Sequence, residues 1–132
     1  MNYLLDTHAL IWSVTDIRKL SPVVIEIMEN PKNNLYVSAL SFWEISLKFS
    51  LGKLHLQGIS PEDFPGLVSK MKFETMALEV SEAATYHQIG NAHHRDPFDR
   101  MLIWQAIQNN LVLITKDENM PPYTSKGLQM IW

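Results

Sequence analysis

Short, unbroken apolar runs alternate with longer amphipathic stretches along this chain. Tyr3-Leu4-Leu5 begins near residue 2 and is stopped by Asp6-Thr7, the pattern of a buried strand. Ala9–Val14 then carries a helical pattern. A second helix begins at Pro22, with Ser21 as its cap and Pro22 at its first position. After the turn cluster Asn30-Pro31-Lys32-Asn33-Asn34 comes a second strand, Leu35-Tyr36-Val37. Ser38 or Ser41 caps a helix to about Ser50, stopped at Gly52. Leu54–Gly58 fits neither period. Ser60-Pro61-Glu62-Asp63 opens another helix, and a third strand is expected near Thr75–Leu78. Ser81-Glu82 opens a helix to about Gly90, and Asp96-Pro97-Phe98-Asp99 opens one to about Asn109. Leu111–Thr115 is the clearest strand, and Gln129-Met130-Ile131 the last. The strands are apolar without alternation, as in sheets covered on both faces, so the expected class is α/β with a parallel sheet. No internal repeat, linker or low-complexity tract interrupts the pattern, and one domain over residues 1–132 is expected.

Composition adds exclusions. The chain is 46% hydrophobic over 132 residues, enough for a core without disulfide or structural metal. It has no cysteine, which removes disulfide frameworks, thiolate zinc sites and cysteine nucleophiles. Met1–Asp6 lacks the basic region of a signal peptide, and no apolar stretch approaches the roughly 18–20 residues of a membrane span. A soluble, cytoplasmic protein is the expectation. The net charge of −3 has the wrong sign for a simple nucleic-acid binder, yet two bound Mg²⁺ would make it +1. Charge therefore leaves a nucleic-acid substrate open.

The acids are more informative. Ligands of open parallel sheets bind beyond the C-terminal ends of the strands. Asp6 closes the first strand, and Asp117 lies two residues past Thr115. Glu44 shares a helical stripe with Leu40, Leu47 and Leu51, where an ionised carboxylate needs a partner. Lys48, one turn later, is one choice, but a surface pair of this kind contributes only about 0.2–0.5 kcal/mol, and a metal is another. Asp99 heads the stripe Leu102, Ile103, Ala106, Ile107, while Asp96 suits a helix cap before Pro97. Acids at strand–helix junctions suit Mg²⁺ or Mn²⁺, hard ions that prefer oxygen. The adjacent His93-His94 point different ways on a helix, and His8, His55 and His87 are isolated; none is assigned chemistry. There is no phosphate-binding glycine loop and no nucleophile elbow.

Four segments together resemble a known family. Leu4-Leu5-Asp6-Thr7-His8-Ala9-Leu10-Ile11-Trp12 resembles the opening of PIN domains, especially the VapC-like toxins of bacterial type II toxin–antitoxin pairs. Ser38-Ala39-Leu40-Ser41-Phe42-Trp43-Glu44-Ile45, continued by Lys48–Leu54, resembles their second motif. His94–Ile103 and Leu113-Ile114-Thr115-Lys116-Asp117 resemble the third and fourth. One departure is Trp104-Gln105, where smaller residues are common.

The resemblance implies a three-layer PIN-like fold, with a central parallel five-stranded sheet flanked by helices. It implies endonucleolytic cleavage of RNA with Mg²⁺ or Mn²⁺, by metal-activated water. Asp6, Glu44, Asp99 and Asp117 match the family's acidic set, with Asp96 beside it. Thr7 and Thr115 match hydroxyl positions next to the metal. Arg95, Arg100, Lys48 and Lys116 flank the acids and are candidates to hold substrate phosphates. A homodimer is implied, and a small antitoxin whose segment crosses the acidic site, where an incoming Arg or Lys partly replaces metal charge. Trp12, Phe42 and Trp43, near that edge, are candidate interface aromatics. Two other readings stay open: a homologue that acts mainly by binding, and another Mg²⁺-dependent phosphoryl hydrolase.

Overall fold

The first strand of the chain lies at the centre of the sheet. In the computed structural model, which describes residues 1–90, 96–117 and 121–132, β1 (Asn2–Leu5) pairs in parallel with β2 (Asn34–Ser38) and β4 (Val112–Ile114). β3 (Glu74–Met76) extends the β2 side and β5 (Gln129–Ile131) the β4 side, giving the order β3-β2-β1-β4-β5, parallel throughout. The expected five-stranded parallel sheet is thus present. β3 lies slightly earlier than Thr75–Leu78, because Tyr36–Ser38 of β2 pairs with Glu74–Met76.

Alternation along β1 divides the core. Tyr3 and Leu5 face one layer, built with α1 (Thr7–Thr15), α2 (Pro22–Glu29) and α4 (Phe64–Lys70). Leu4 faces the other, where it meets Leu102, Ile103 and Ala106 of α6 (Pro97–Gln108). α3 (Ala39–Ser50) contributes to both, Ile45 to the first and Leu40 to the second. Helices thus flank the sheet, as expected.

The helix starts follow local chemistry. Asp6 caps α1, its Oδ1 accepting from Ala9 N–H at 2.7 Å, so this helix begins two residues before Ala9. Ser21 accepts from Val24 N–H at 3.1 Å ahead of Pro22. Of the two serines that suit the start of α3, Ser38 is the cap, accepting from Leu40 N–H at 3.1 Å. Two expected helices are broken. Pro61–Asp63 forms a 3-10 turn that leads into α4. The segment expected as one helix to Gly90 is α5 (Val80–Thr85) followed by a 3-10 turn, Tyr86–Ile89. α5 begins at Val80 because Glu82 reaches back to accept from Glu79 N–H at 2.9 Å.

The strand order places the functional edge. Connections from β1 run outward to β2 and β3, and the chain then crosses back to β4. The order reverses between β1 and β4, and the crevice beyond their C-terminal ends is the switch point where such sheets bind ligands.

Candidate active site

Asp6 stands at that switch point. Its backbone N–H donates to Ile114 O at 3.0 Å, so the β1–β4 ladder runs straight into the residue. The carboxyl group is buried. Burial pushes its pKa up and the Asp117 charge adds to the rise, against opposing effects from the Thr115 hydroxyl, Ala9 N–H and His8. Thr115 is buried on β4's end, and its Oγ1 also accepts from Asp117 N–H at 3.1 Å. One hydroxyl thereby sets both acids.

Asp6, Asp99 and Asp117 line one cleft of about 360 Å³ together with His8, Trp12 and Lys116. They come from the end of β1, the first turn of α6 and the loop after β4. Lys116 is exposed, with its Nζ 5.9 Å from the Trp12 ring centroid. His8, exposed and assigned no chemistry from the sequence, has its ring tilted at 45° to that of Trp12, centroids 5.6 Å apart, and lies on the cleft wall. Its position directly after Asp6-Thr7 was the available signal.

Glu44 does not line this cleft; it lines a neighbouring groove that shares His8 and Trp12 with it. It is 2% exposed, yet the stripe proposed for it does not account for its burial, because Leu47 and Leu51 face outward, at 36% and 58% exposed. The buried face of α3 is Leu40, Ser41, Glu44 and Ile45. Thr7 Oγ1 donates to Glu44 Oε1 at 2.6 Å and lies 3.1 Å from Ser41 Oγ. Glu44 Oε2 accepts from the Lys48 ammonium. The pair treated from sequence as too weak is therefore made, and made partly out of water. Burial opposes the Lys48 charge, but the bond to Glu44 and the charges of Glu44, Asp96 and Asp99 hold its pKa above the ordinary lysine value. Glu44, Lys48 and Thr7 also line a wider groove of about 870 Å³ with Ile11, Trp12 and Lys53. Sequence reasoning offered Ser41 only as an alternative helix cap, not as a neighbour of Glu44.

The remaining expected residues separate. Asp96 caps α6, its Oδ1 accepting from Phe98 N–H at 2.8 Å and Asp99 N–H at 3.3 Å. Arg95, like His93 and His94, lies outside the described residues. Arg100 does not present its guanidinium to substrate as expected. It is buried, and donates to Tyr86 Oη at 2.8 Å and Gly90 O at 2.8 Å. It lies one helical position past Asp99, which turns it away from the cleft and into the core.

Trp104-Gln105 also has a structural account. Gln105 is fully buried; its Oε1 accepts from Ser38 Oγ at 2.6 Å, and its Nε2 donates to Glu82 Oε1 at 3.0 Å and Ala77 O at 3.2 Å. The large amide ties the start of α3, which carries Glu44, to α5 and the end of β3. Trp104 Nε1 donates to Thr85 Oγ1 at 3.1 Å.

Among the described residues, no three His, Asp or Glu side chains are gathered closely enough to hold an ion by themselves. The chemistry of the cleft nonetheless fits Mg²⁺ or Mn²⁺. Such ions take one or two carboxylates and keep several waters, and Asp6, Asp99 and Asp117 supply only hard oxygen donors.

The relatives agree with this architecture. The chain is 24% identical over 129 residues to ribonuclease VapC22 of Mycobacterium tuberculosis, covering 98% of this chain and 97% of that protein. It superposes on VapBC2 of Rickettsia felis, solved bound to a DNA fragment from their promoter, with a TM-score of 0.66, 15% identity and coverage of 99% and 98% of the two chains. The corresponding values for VapBC-1 of nontypeable Haemophilus influenzae are 0.67, 18%, 99% and 97%. The sequence pattern of the PIN domain matches residues 3–124, spanning β1 with Asp6, α3 with Glu44, α6 with Asp99 and the Asp117 loop. With the sheet, the switch-point cleft and this match all in agreement, the chain belongs to the PIN domain family.

Proposed function

We propose that the chain is a Mg²⁺- or Mn²⁺-dependent endoribonuclease and the toxin of a type II toxin–antitoxin pair. The observation that carries this reading is the convergence of Asp6, Asp99 and Asp117 on one cleft at the switch point. The likeness to ribonuclease VapC22 supports the activity, and the likeness to VapBC proteins supports an antitoxin partner.

One or two of Asp6, Asp99 and Asp117 would hold the ion directly and the others through water, with Glu44 in the neighbouring groove. A divalent ion held there would supply Lewis-acid polarisation of a phosphodiester and positive charge against that developing on the leaving oxygen. The chain's own groups prepare the site. Thr115 and Ala9 N–H aim the Asp6 carboxyl, and Thr7 aims Glu44. Lys116, exposed at the cleft, attracts the RNA backbone. Trp12, half-buried beside it, gives the cleft an apolar wall. Trp43, Leu47, Phe49 and Leu51 leave α3 with exposed apolar surface, which supports a homodimer or a protein partner on that helix.

Purified protein should cut single-stranded RNA with Mn²⁺ or Mg²⁺, lose activity in chelator, and leave a phosphomonoester intact. Asp99→Asn should lose at least a hundredfold in rate while remaining folded. Near-normal cleavage by Asp99→Asn, or cleavage in chelator, overturns the reading. Growth that continues through induction of soluble, active protein overturns the toxin role alone.

A further inference from the structure

Both oxygens of Glu44 are engaged. Oε1 accepts from Thr7, a buried residue in the first turn of α1, and Oε2 accepts from Lys48, one turn later on α3 itself. A divalent ion that draws on Glu44 must disturb one of these bonds. Thr7 has a short side chain packed between two helices. Lys48 ends a flexible four-carbon stem, and 36% of its side chain is exposed. Of the two, the lysine is the partner that can leave. Its charge also faces Asp96 and Asp99 at the start of α6, so it occupies the field into which a divalent ion would move.

We propose that Lys48 is a resident counter-cation of the acidic centre, paired with Glu44 in the metal-free protein and displaced from it when a divalent ion binds. The proposal rests on the reading of this cleft as a metal site. It gives a carboxylate that is 2% exposed a cationic partner within the protein before metal arrives, where unpaired burial of a charge would be costly. It also explains why the partner comes from the same helix, where a change of rotamer releases it without moving backbone. Once displaced, the ammonium remains on the wall of the wide groove, in reach of a substrate phosphate.

The sign of one measurement separates this role from its rival. If Lys48 competes with the ion, removing its charge strengthens metal binding. If Lys48 instead positions Glu44 for the ion, removing it weakens binding. The test is Mn²⁺ titration of the full chain by calorimetry, without RNA, for wild type, Lys48→Met, Lys48→Gln and Lys48→Arg. Lys48→Gln retains a donor for Glu44 and covers the case in which Lys48→Met folds poorly. The expected result is Mn²⁺ affinity raised about tenfold in both neutral variants, the scale of one partly screened charge at contact distance, with Lys48→Arg close to wild type. Melting curves should show a larger Mn²⁺-induced rise in Lys48→Met than in wild type. Equal or weaker affinity in the neutral variants overturns the proposal, as does an absence of Mn²⁺ binding in every protein. The nuclease reading fails by a different result, wild type that binds Mn²⁺ yet leaves RNA uncut, and that result leaves the comparison of affinities intact.

Discussion

Replacing Asp6 by Asn and by Ala separates two things this carboxylate does for the fold. Its pKa is raised, chiefly by burial and further by Asp117. The folded protein therefore keeps a proton on Asp6 at pH values where the unfolded chain has released it. Stability from this group falls as pH rises from the ordinary aspartate value of 3.8 through the raised folded value, and above that the ionised group is a standing cost. Asp6→Asn removes the charge and should melt above wild type at pH 7.5 in chelator. It keeps an oxygen for Ala9 N–H, since Asn caps helices as well as Asp. Asp6→Ala removes the charge and the cap together. A lost cap costs about 1 kcal/mol, so Asp6→Ala should melt roughly 3–5 °C below Asp6→Asn for a domain of this size. Both should be inactive on RNA. The assay is thermal melting of the three proteins from pH 4 to pH 8 in chelator. The gap between Asp6→Asn and wild type should open as pH rises. Asp6→Asn melting below wild type at pH 7.5 would refute the burial argument, and Asp6→Ala matching Asp6→Asn would refute the cap.

Two further substitutions test positions away from the metal site. Gln105→Leu should lower stability by about 2–4 kcal/mol, because it strands the buried Ser38 hydroxyl and removes one of the amides on Glu82; an unchanged urea midpoint contradicts the network. Arg100→Met should also destabilise, by about 1.5–3 kcal/mol from its lost bonds to Tyr86 and Gly90. If it instead folds normally and binds RNA more weakly, Arg100 belongs to the substrate surface after all.

The strands and acids were legible where one rule governs them. Leu4-Leu5 ending at Asp6, and Val112–Ile114 ending before Thr115, are apolar runs too short for helices and bounded by polar residues, so strand ends and acids could be placed together. Ser21-Pro22 and Asp96-Pro97 gave their helix starts for the same reason: cap and proline act locally. Reading failed where tertiary contacts decide. Glu44 was assigned to a stripe with Leu47 and Leu51, but α3 turns that side outward and buries the Ser41 side against Thr7. Helical periodicity defines an apolar side without saying which neighbour covers it. Arg100 next to Asp99 looked like a phosphate ligand by proximity in sequence, and a rotation of about 100° per residue places it in the core. The roles of His8 and Ser41 were missed because neither breaks a local pattern; their meaning comes only from what the sheet brings beside them.

The acids of the cleft and of the groove beside it are mounted in two different ways. Asp6 closes β1, whose ladder continues through Asp6 N–H to Ile114 O; Asp117 lies in the loop two residues past the last β4 ladder contact, Thr115 N–H to Ile131 O, with its N–H held by Thr115 Oγ1. The place of Asp6 is thus set by the sheet, and that of Asp117 by the Thr115 hydroxyl at the strand end. Glu44 and Asp99 ride on α3 and α6, which touch each other through side chains such as Trp43 and Phe98, with ring centroids 5.0 Å apart. Packed helices slide by small amounts without losing backbone bonds, as a sheet ladder does not. The site is therefore a fixed jaw and an adjustable jaw. A protein that pressed on the exposed apolar side of α3 would bear on the adjustable jaw and not on the sheet-held one.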